Sequence, residues 1–306
     1  METYTLLHDL YVFGAPVPTF PEGINATFST LMQKIPNGAQ RAYYGLSSMD
    51  ADGTISYFAA AEEKFPGEAD IYGYQRYCIE KGVYLTVTVH NWRTKTAAIK
   101  GVFHEIMQDE RADNTKPCVE WYKDDNEMRC MLLTDPVKQL FASADLTAAS
   151  LMDLLSPLSE AQINVVPFKD SWTAAQLATH VTKSNNAIVQ AMDLEGKMPD
   201  RKSTERVAEL KKIFLDFKTK MNSPEFILPK TGFYEKQNLL AALQKSNDAL
   251  KAKRTNVNIH EVIEFAAFGQ ITRLELLYFV LYHTQRHIHQ LIKILPFINQ
   301  QAANPG

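Results

Sequence analysis

In the first half of the chain, apolar and polar residues alternate over short segments, which is typical of half-buried β-strands. A helical spacing of apolar residues interrupts this alternation twice, at 26–35 and 96–108. Each predicted helix follows one strand and precedes two more. The strands are expected at 9–15, 41–47, 54–61, 84–90, 118–122 and 128–133. The pattern therefore predicts an α+β domain, residues 1–138, built from a duplicated strand-helix-strand-strand order.

The second half of the chain has helical periodicity, with apolar residues recurring every three or four positions. Thr272 and Glu275 have the spacing of a capping box, so a final helix should begin there and end at Pro296. Earlier helices are predicted at 146–155, 171–192, 203–221 and 235–252. Because short polar loops join such helices in antiparallel bundles, residues 139–306 are predicted to form an all-α four-helix bundle domain. The Asp135-Pro136 step is expected to be the junction.

Composition and charge narrow the class of protein. The 306 residues are 45% hydrophobic and 22% charged, as in ordinary soluble globular proteins. The net charge of −3 argues against direct binding to nucleic acid, because nucleic-acid-binding domains usually carry a basic surplus. Residues 1–140 hold 19 acidic and 13 basic side chains, whereas 141–306 hold 16 acidic and 19 basic. The two predicted domains therefore carry charges of opposite sign.

Neither a membrane-spanning segment nor a cysteine-based site is predicted. No apolar run is long enough to cross a membrane and no secretory signal is visible, so we expect a cytoplasmic protein. The three cysteines, Cys78, Cys118 and Cys130, are odd in number and lack the spacing of a zinc site. Any protein-bound metal should therefore depend on other side chains.

Two histidines of the last predicted helix have the spacing of a metal site. His283 and His287 are four residues apart, which places both rings on one helix face. His180 is the best candidate for a third ligand, because the apolar residues around it should turn it toward the bundle interior. The alternative is that the pair is exposed or internally hydrogen-bonded and that His180 is an ordinary core histidine. His289 should point away from the pair.

Sequence motifs around these histidines resemble the DinB-like family. The resembling residues are Asp170-Ser171-Trp172-Thr173 with Leu177-Ala178-Thr179-His180, and Phe268-Gly269-Gln270-Ile271-Thr272 with His283-Thr284-Gln285-Arg286-His287 and Gln290-Leu291. The resemblance implies a helical bundle in which His180, His283 and His287 bind a divalent metal, zinc or nickel. It also implies a homodimer and, in some members, transfer of a low-molecular-weight thiol. Arg286 is expected to form a structural salt bridge.

The first half resembles GyrI-like small-molecule-binding domains, which also serve as effector domains of transcription activators. The resembling residues are Phe13-Gly14, Tyr43-Tyr44-Gly45, Gly82-Val83-Tyr84 and Pro117-Cys118-Val119-Glu120-Trp121-Tyr122. The resemblance implies a pseudo-twofold domain whose sheets form a cup around a small hydrophobic or cationic aromatic ligand. It places Glu120 in that cup.

Strand alternation adds detail to this expectation. Glu120 and Tyr122 should share one face of their strand, and Tyr57 and Tyr84 are weaker candidates for the wall of the cup. A carboxylate desolvated among aromatic rings would have a raised pKa and could select cationic aromatic ligands. The alternative is that Glu120 is exposed near a charged turn and that the tyrosines simply pack in the sheet.

Three functions follow from these expectations. The chain is a metal-dependent transferase or hydrolase, a non-catalytic small-molecule sensor, or an effector-binding protein of the transcription-regulator type. No recognition helix with a basic face is evident, and the lysine-rich segment 245–254 is expected to be a solvated helix face.

Overall fold

A computed structural model describes residues 1–50, 52–219 and 221–303, and it divides the chain into two compact units after Lys138. In its described residues, unit 1 has eight strands and three α-helices, in an order that places one helix between β2 and β3 and another between β6 and β7. They are β1 (Glu2–Leu6), β2 (Leu10–Pro16), α1 (Ile24–Lys34), β3 (Tyr43–Met49), β4 (Ile55–Glu62), α2 (Glu68–Tyr72), β5 (Gln75–Ile79), β6 (Gly82–His90), α3 (Thr96–Met107), β7 (Cys118–Tyr122) and β8 (Glu127–Leu133). The sequence pattern missed β1 and β5, which are short strands at the two edges of the sheet.

The eight strands form one curled antiparallel sheet in the order β1-β6-β8-β7-β3-β4-β2-β5. Strands β3 and β7 pair at its centre, where Gly45 lies opposite Glu120. One face of the sheet packs on α1 through Leu31 and on α3 through Ile106, and both side chains are almost completely buried. Glu120 therefore lies on the central strands, on the face that the two helices cover.

Unit 2 is helical, with one small hairpin. Its elements are α4 (Pro136–Leu155, which begins in unit 1), α5 (Glu160–Ile163), α6 (Ala174–Ala191), α7 (Val207–Phe214), α8 (Lys236–Asn256), β9 (Val262–Phe265), β10 (Gly269–Thr272) and α9 (Arg273–Ala303). Side chains from α4, α6, α8 and α9 share one buried core, to which Leu151, Leu177, Leu243 and Leu291 each contribute. No helix in the described part of the chain is long and apolar enough to cross a membrane.

The first helix of this unit begins earlier than the sequence pattern predicted. The Asp135 carboxylate accepts hydrogen bonds from the backbone N–H groups of Val137 and Lys138, at 2.8 and 3.2 Å. Pro136 is the first helical residue, a position that its fixed φ favours. The Asp-Pro step is therefore a helix start rather than a loop.

The other helix boundaries also differ from their predictions. Thr173, not Ser171, caps α6 through a capping box with Gln176. The predicted helix 203–221 is only α7, because the chain turns after Phe214 and the Asp216 carboxylate binds the backbone N–H of Lys218 instead. Position 220 of that predicted helix lies outside the described residues.

The last helix begins as predicted but continues past its proline. Thr272 and Glu275 form the reciprocal hydrogen bonds of a capping box. Pro296 lies inside α9, although a proline removes one helical hydrogen bond and costs about 3 kcal/mol in a helix interior. Burial compensates, because Ile294 and Ile298 on either side of it are 2% and 0% exposed in the core.

Candidate functional site

Three histidines from two helices of unit 2 meet in the protein interior. His180 lies on α6, and His283 and His287 lie one turn apart on α9. They are 1%, 5% and 6% exposed. One ring nitrogen from each lies within 4.8 Å of those of the other two. The structure therefore brings together the three histidines that the sequence pattern singled out, and it places His289 outside this group, stacked on Phe217.

Hydrogen bonds at the outer ring nitrogens orient two of the three rings. His180 Nδ1 lies 3.0 Å from the carbonyl oxygen of Ile227, and His287 Nδ1 lies 3.1 Å from Gln290 Oε1. An acceptor at Nδ1 requires that this nitrogen carries the proton, so Nε2 of each neutral ring keeps a free lone pair. His283 Nδ1 is buried and has no hydrogen-bond partner among the described residues.

The inner ring nitrogens have the arrangement expected around a divalent ion. His283 Nε2 lies 3.1 Å from both His180 Nε2 and His287 Nε2. In a tetrahedral site with metal–nitrogen distances of about 2.0–2.1 Å, ligand nitrogens lie about 3.3–3.4 Å apart. With the outer nitrogens of His180 and His287 protonated, the inner nitrogens of these two rings present lone pairs toward His283 Nε2, and a metal ion fits between the three inner nitrogens. Imidazole ligands suit zinc, nickel, iron and copper.

Burial keeps the three rings uncharged. Desolvation, together with the electrostatic effects of His180 and Arg286 and against the hydrogen bond to Gln290, lowers the pKa of His287 to about 3. Desolvation, the neighbouring His287 and the same two residues also lower the pKa of His283 well below its usual value. Desolvation also lowers the pKa of His180, although its hydrogen bond to Ile227 opposes this. All three rings are therefore neutral near pH 7, which is the protonation state that binds a metal.

The histidines line a cavity of about 970 Å³. Trp172 packs against His180 with ring centroids 5.0 Å apart, and Phe279 stacks on His283 at 5.0 Å. Such a volume is at the upper end of the range of about 300–1,000 Å³ that is usual for small-molecule sites. A ligand in the cavity would therefore contact aromatic rings and lie next to the three histidines.

Arg286 holds the loop that closes one side of this cavity. Its guanidinium donates hydrogen bonds to the carbonyl oxygens of Phe214 and Asp216, the latter at 2.6 Å, and to that of Thr219. These partners are backbone carbonyl groups and not carboxylates, so the hydrogen bonds differ from the salt bridge that was predicted for Arg286. Through these hydrogen bonds, Arg286 holds the loop after α7 beside the histidines.

A second polar cluster lies in unit 1, on the two central strands. The Tyr57 hydroxyl donates a hydrogen bond of 2.6 Å to Glu120 Oε2, and the Tyr122 hydroxyl donates to the same oxygen. Glu120 is 8% exposed and Tyr57 is 3% exposed. A Cβ at Gly45 would lie 1.8 Å from the Tyr57 hydroxyl, so only glycine leaves room for this contact. The absent side chain of Gly45 therefore allows the cluster to form.

Aromatic rings surround this carboxyl group. Phe20 stacks on Tyr57 at 5.5 Å, and Phe28 and Trp92 lie 5.4 and 4.8 Å from the Tyr122 ring. Desolvation raises the pKa of Glu120, and the two phenol hydrogen bonds oppose that rise.

Tyr84 does not join the cluster. It packs with Val119 on the other face of the sheet, and its hydroxyl donates a hydrogen bond to the carbonyl oxygen of Glu80. Strand alternation explains the separation, because Val119 and Glu120 are consecutive and point to opposite faces.

Comparison with known families identifies the domain that carries the histidines. Residues 144–291 form a DinB superfamily domain. This segment contains all three histidines, and members of the family often bind metals. No curated protein matches the chain.

Solved structures resemble parts of the chain at low identity. An integron cassette protein from Vibrio cholerae is 13% identical over 44% of this chain and 95% of its own, with a TM-score of 0.36. SAV2435, solved with tetraphenylphosphonium bound, is 17% identical over 45% of this chain and 97% of its own, with a TM-score of 0.35. TT2238, a four-helix bundle protein, is 14% identical over 51% of this chain and 98% of its own, with a TM-score of 0.34.

Sequence reasoning missed several features of these sites. In the DinB domain it did not find the carbonyl group of Ile227, whose role carries no side-chain signal. Gln290 stands three residues after His287, a helical spacing that could have indicated the hydrogen bond. In unit 1, Gly45 occurs inside an apolar strand, where a glycine often marks close approach of another group.

Proposed function

We propose that His180, His283 and His287 bind one divalent metal ion, zinc or nickel, and that the DinB domain is a metal-dependent transferase or hydrolase. The observation that carries this proposal is the convergence of three inner ring nitrogens at the wall of a large cavity, with two outer nitrogens anchored elsewhere. Three protein ligands leave room in the coordination sphere for water or substrate, which is the pattern of catalytic rather than structural sites.

The surrounding residues support catalysis by positioning. A bound divalent ion lowers the pKa of bound water or thiol and polarises an electrophile. The hydrogen bonds of His180 to Ile227 and of His287 to Gln290 fix the two rings before any ligand arrives. Trp172 packs against His180 and Phe279 stacks on His283, so aromatic rings also support two of the three ligands. The reaction classes that we propose are transfer of a low-molecular-weight thiol to an electrophile and hydrolysis.

Metal analysis of single variants tests the metal site. We expect the purified wild-type protein, after exposure to zinc or nickel, to hold one ion per chain by elemental analysis. His180→Ala, His283→Ala and His287→Ala should each lose it, whereas His289→Ala, which alters a neighbouring histidine outside the group, should keep it. An absence of stoichiometric metal, with binding of added metal unchanged in His283→Ala, would refute the site.

A turnover assay separates the enzyme from a non-catalytic protein. Thiol consumption and hydrolysis are measured over a panel of electrophiles and esters, with the metal removed by a chelator and then restored. Metal-dependent turnover that His283→Ala abolishes supports the enzyme. Turnover that is absent, or is unchanged by the chelator, favours the alternative function of a small-molecule sensor.

We also propose a binding function for unit 1, as a GyrI-like domain that takes a small hydrophobic or cationic aromatic molecule, in the manner of a sensor or of a regulator's effector domain. The buried carboxyl of Glu120 among Tyr57, Tyr122 and Phe28 supports it, because a cation would offset the desolvation of the carboxylate and contact the rings. For the fold, we propose that unit 1 has a duplicated strand-helix-strand-strand order and that the DinB domain is a four-helix bundle.

Binding of tetraphenylphosphonium, a permanently charged aromatic cation, tests this second function. We expect Glu120→Gln, which removes the negative charge that a bound cation would pair with, to weaken binding about tenfold or more by calorimetric titration, a loss of about 1.4 kcal/mol. Glu127→Gln, on the neighbouring strand β8, should bind like the wild type. Equal affinity of Glu120→Gln and wild type would exclude a role for Glu120.

A further inference from the structure

The cavity of the DinB domain has a surplus of positive side chains. Its lining includes four cationic residues, Arg206, Lys218, Arg286 and Lys293, and two acidic residues. One of these acids, Glu209, forms an ion pair with Arg206, in which Glu209 Oε2 lies 3.2 Å from Arg206 Nε. A divalent ion on the histidines would increase the surplus.

Two of the cations are available to a ligand. Arg206 and Arg286 are held by backbone carbonyls, at Phe268 for the first and at Asp216 for the second. Lys218 and Lys293 are exposed and pair with no carboxylate among the residues that the structure describes. The acid that remains in the lining is Asp170, which is also exposed.

Two lysines and the three histidines of the cavity lie at different depths. Lys218 and Lys293 are exposed, whereas the three histidines and the rings of Phe214 and Phe279 are at most 8% exposed. Eight aromatic side chains line the cavity, and some of these reach the solvent, among them Phe226 at 59% exposure. A molecule that fills this space meets two lysines and some exposed aromatic carbon at the solvent side, and the histidines with buried aromatic rings inside.

From this arrangement we infer that the cavity binds an amphipathic organic anion, with its acidic head at Lys218 and Lys293 and its apolar body directed inward to the three histidines. The inference rests on the proposed metal-dependent function, since it names the class of substrate for the same site. It also fixes the reacting end of that substrate, which is the apolar end, while the acidic group stays near solvent. A carboxylate, a sulfonate or a phosphate ester would each serve as the head.

A set of pyrene probes with one ring system and different heads tests the inference. The probes are 1-pyrenebutyrate, the neutral 1-pyrenebutanol and the cationic 1-pyrenebutylammonium. Trp172 lines the cavity and can transfer excitation energy to bound pyrene, so a Trp172→Phe variant shows which part of the signal comes from this site. Binding is measured with metal-free protein and again with the metal-loaded protein.

We expect the anion to bind best and the cation worst. Each exposed lysine should strengthen pyrenebutyrate binding about 1.5-fold to fivefold, the range measured for exposed ion pairs. Lys218→Gln and Lys293→Gln should each remove that factor for pyrenebutyrate and leave pyrenebutanol unchanged, and high salt should reduce the difference between these two probes. Lys245→Gln, an exposed lysine on α8 that does not line the cavity, is the matched control.

A further variant tests where the apolar body of the ligand lies. Phe226→Ala removes an exposed aromatic ring from the wall of the cavity and should weaken the binding of pyrenebutyrate and of pyrenebutanol by the same factor.

The inference is overturned if pyrenebutanol or the ammonium probe binds as tightly as pyrenebutyrate, if both lysine variants bind pyrenebutyrate like the wild type, or if the Trp172→Phe variant retains the full energy transfer. Selective binding by metal-free protein that also fails to take up metal would refute the proposed metal site alone. Metal uptake without selectivity for the anion would refute only this inference.

Discussion

Acidification should destabilise metal-free unit 2 through its buried histidines. Desolvation lowers the pKa of His287 to about 3 and that of His283 well below its usual value, so both rings stay neutral in the folded protein at mildly acidic pH. In the unfolded chain both titrate near a pKa of about 6.5. Because the folded pKa values are lowered, the stability contribution is present above pH 6.5 and is lost as the pH falls below that value.

The size of this loss follows from proton linkage. Between pH 7 and about pH 5.5, a histidine that stays neutral when folded and has an unfolded pKa of about 6.5 lowers the free energy of unfolding by about 1.3 kcal/mol. His283 and His287 together therefore account for about 2.5 kcal/mol over that interval. His180, whose pKa is also lowered, adds to the loss. Replacing His283 by glutamine should remove about 1.3 kcal/mol of this pH dependence, whatever its effect on stability at pH 7.

Urea unfolding followed by Trp172 fluorescence measures the effect. Trp92 and Trp121 are replaced by phenylalanine so that the signal comes from unit 2, and a chelator keeps the protein free of metal. The difference in unfolding free energy between the two pH values is compared for the parent, His283→Gln and Ser184→Ala, a buried cavity residue without a titrating group. If His283→Gln loses as much stability on acidification as the parent does, burial does not hold His283 neutral in the folded protein.

Three further variants test individual contacts. Gln290→Leu removes a hydrogen bond that orients one of the three histidines, so metal affinity measured by chelator competition should fall about tenfold to a hundredfold; an unchanged affinity would contradict this positioning role. Gly45→Ala should lower the free energy of unfolding by about 1–3 kcal/mol, because its Cβ would lie 1.8 Å from the Tyr57 hydroxyl, whereas Gly101→Ala, in open space on α3, should not destabilise. Arg286→Gln should speed hydrogen exchange in the loop after α7 and leave α8 unchanged, and equal exchange in variant and wild type would show that other contacts hold the loop.

The sequence indicated the histidine group because its signal is local. Spacing placed His283 and His287 on one helix face, and the apolar residues around His180 favoured an inward direction for that ring. The resemblance to the DinB-like family then joined the three as one ligand set. The hydrogen bond from His180 to Ile227 could not be predicted this way, because it depends on where a distant, non-periodic segment folds back. The cavity was missed for the same reason, since much of its wall comes from the segments after α7.

Two of the errors in the helix boundaries occurred at prolines. A proline was interpreted by its local effect both at Pro136 and at Pro296, yet the structure uses the first as a helix start and extends a helix through the second. At Pro136 the carboxylate of Asp135 caps the helix and so favours its start there. At Pro296 the burial of Ile298 in the core favours continuation of the helix. Local propensity was outweighed in one case by a hydrogen bond and in the other by core packing.

Desolvation governs the electrostatics of both candidate sites, and it favours a cation in each. Burial raises the pKa of Glu120 and lowers those of His283 and His287, so each site favours its uncharged form when nothing is bound. A positive ligand reverses that preference at Glu120, because its charge stabilises the carboxylate that burial opposes. At the histidines, neutral rings present lone pairs that bind a metal ion without prior loss of a proton. The same low-polarity surroundings thus suit an organic cation where the buried group is an acid and a metal ion where the buried groups are bases.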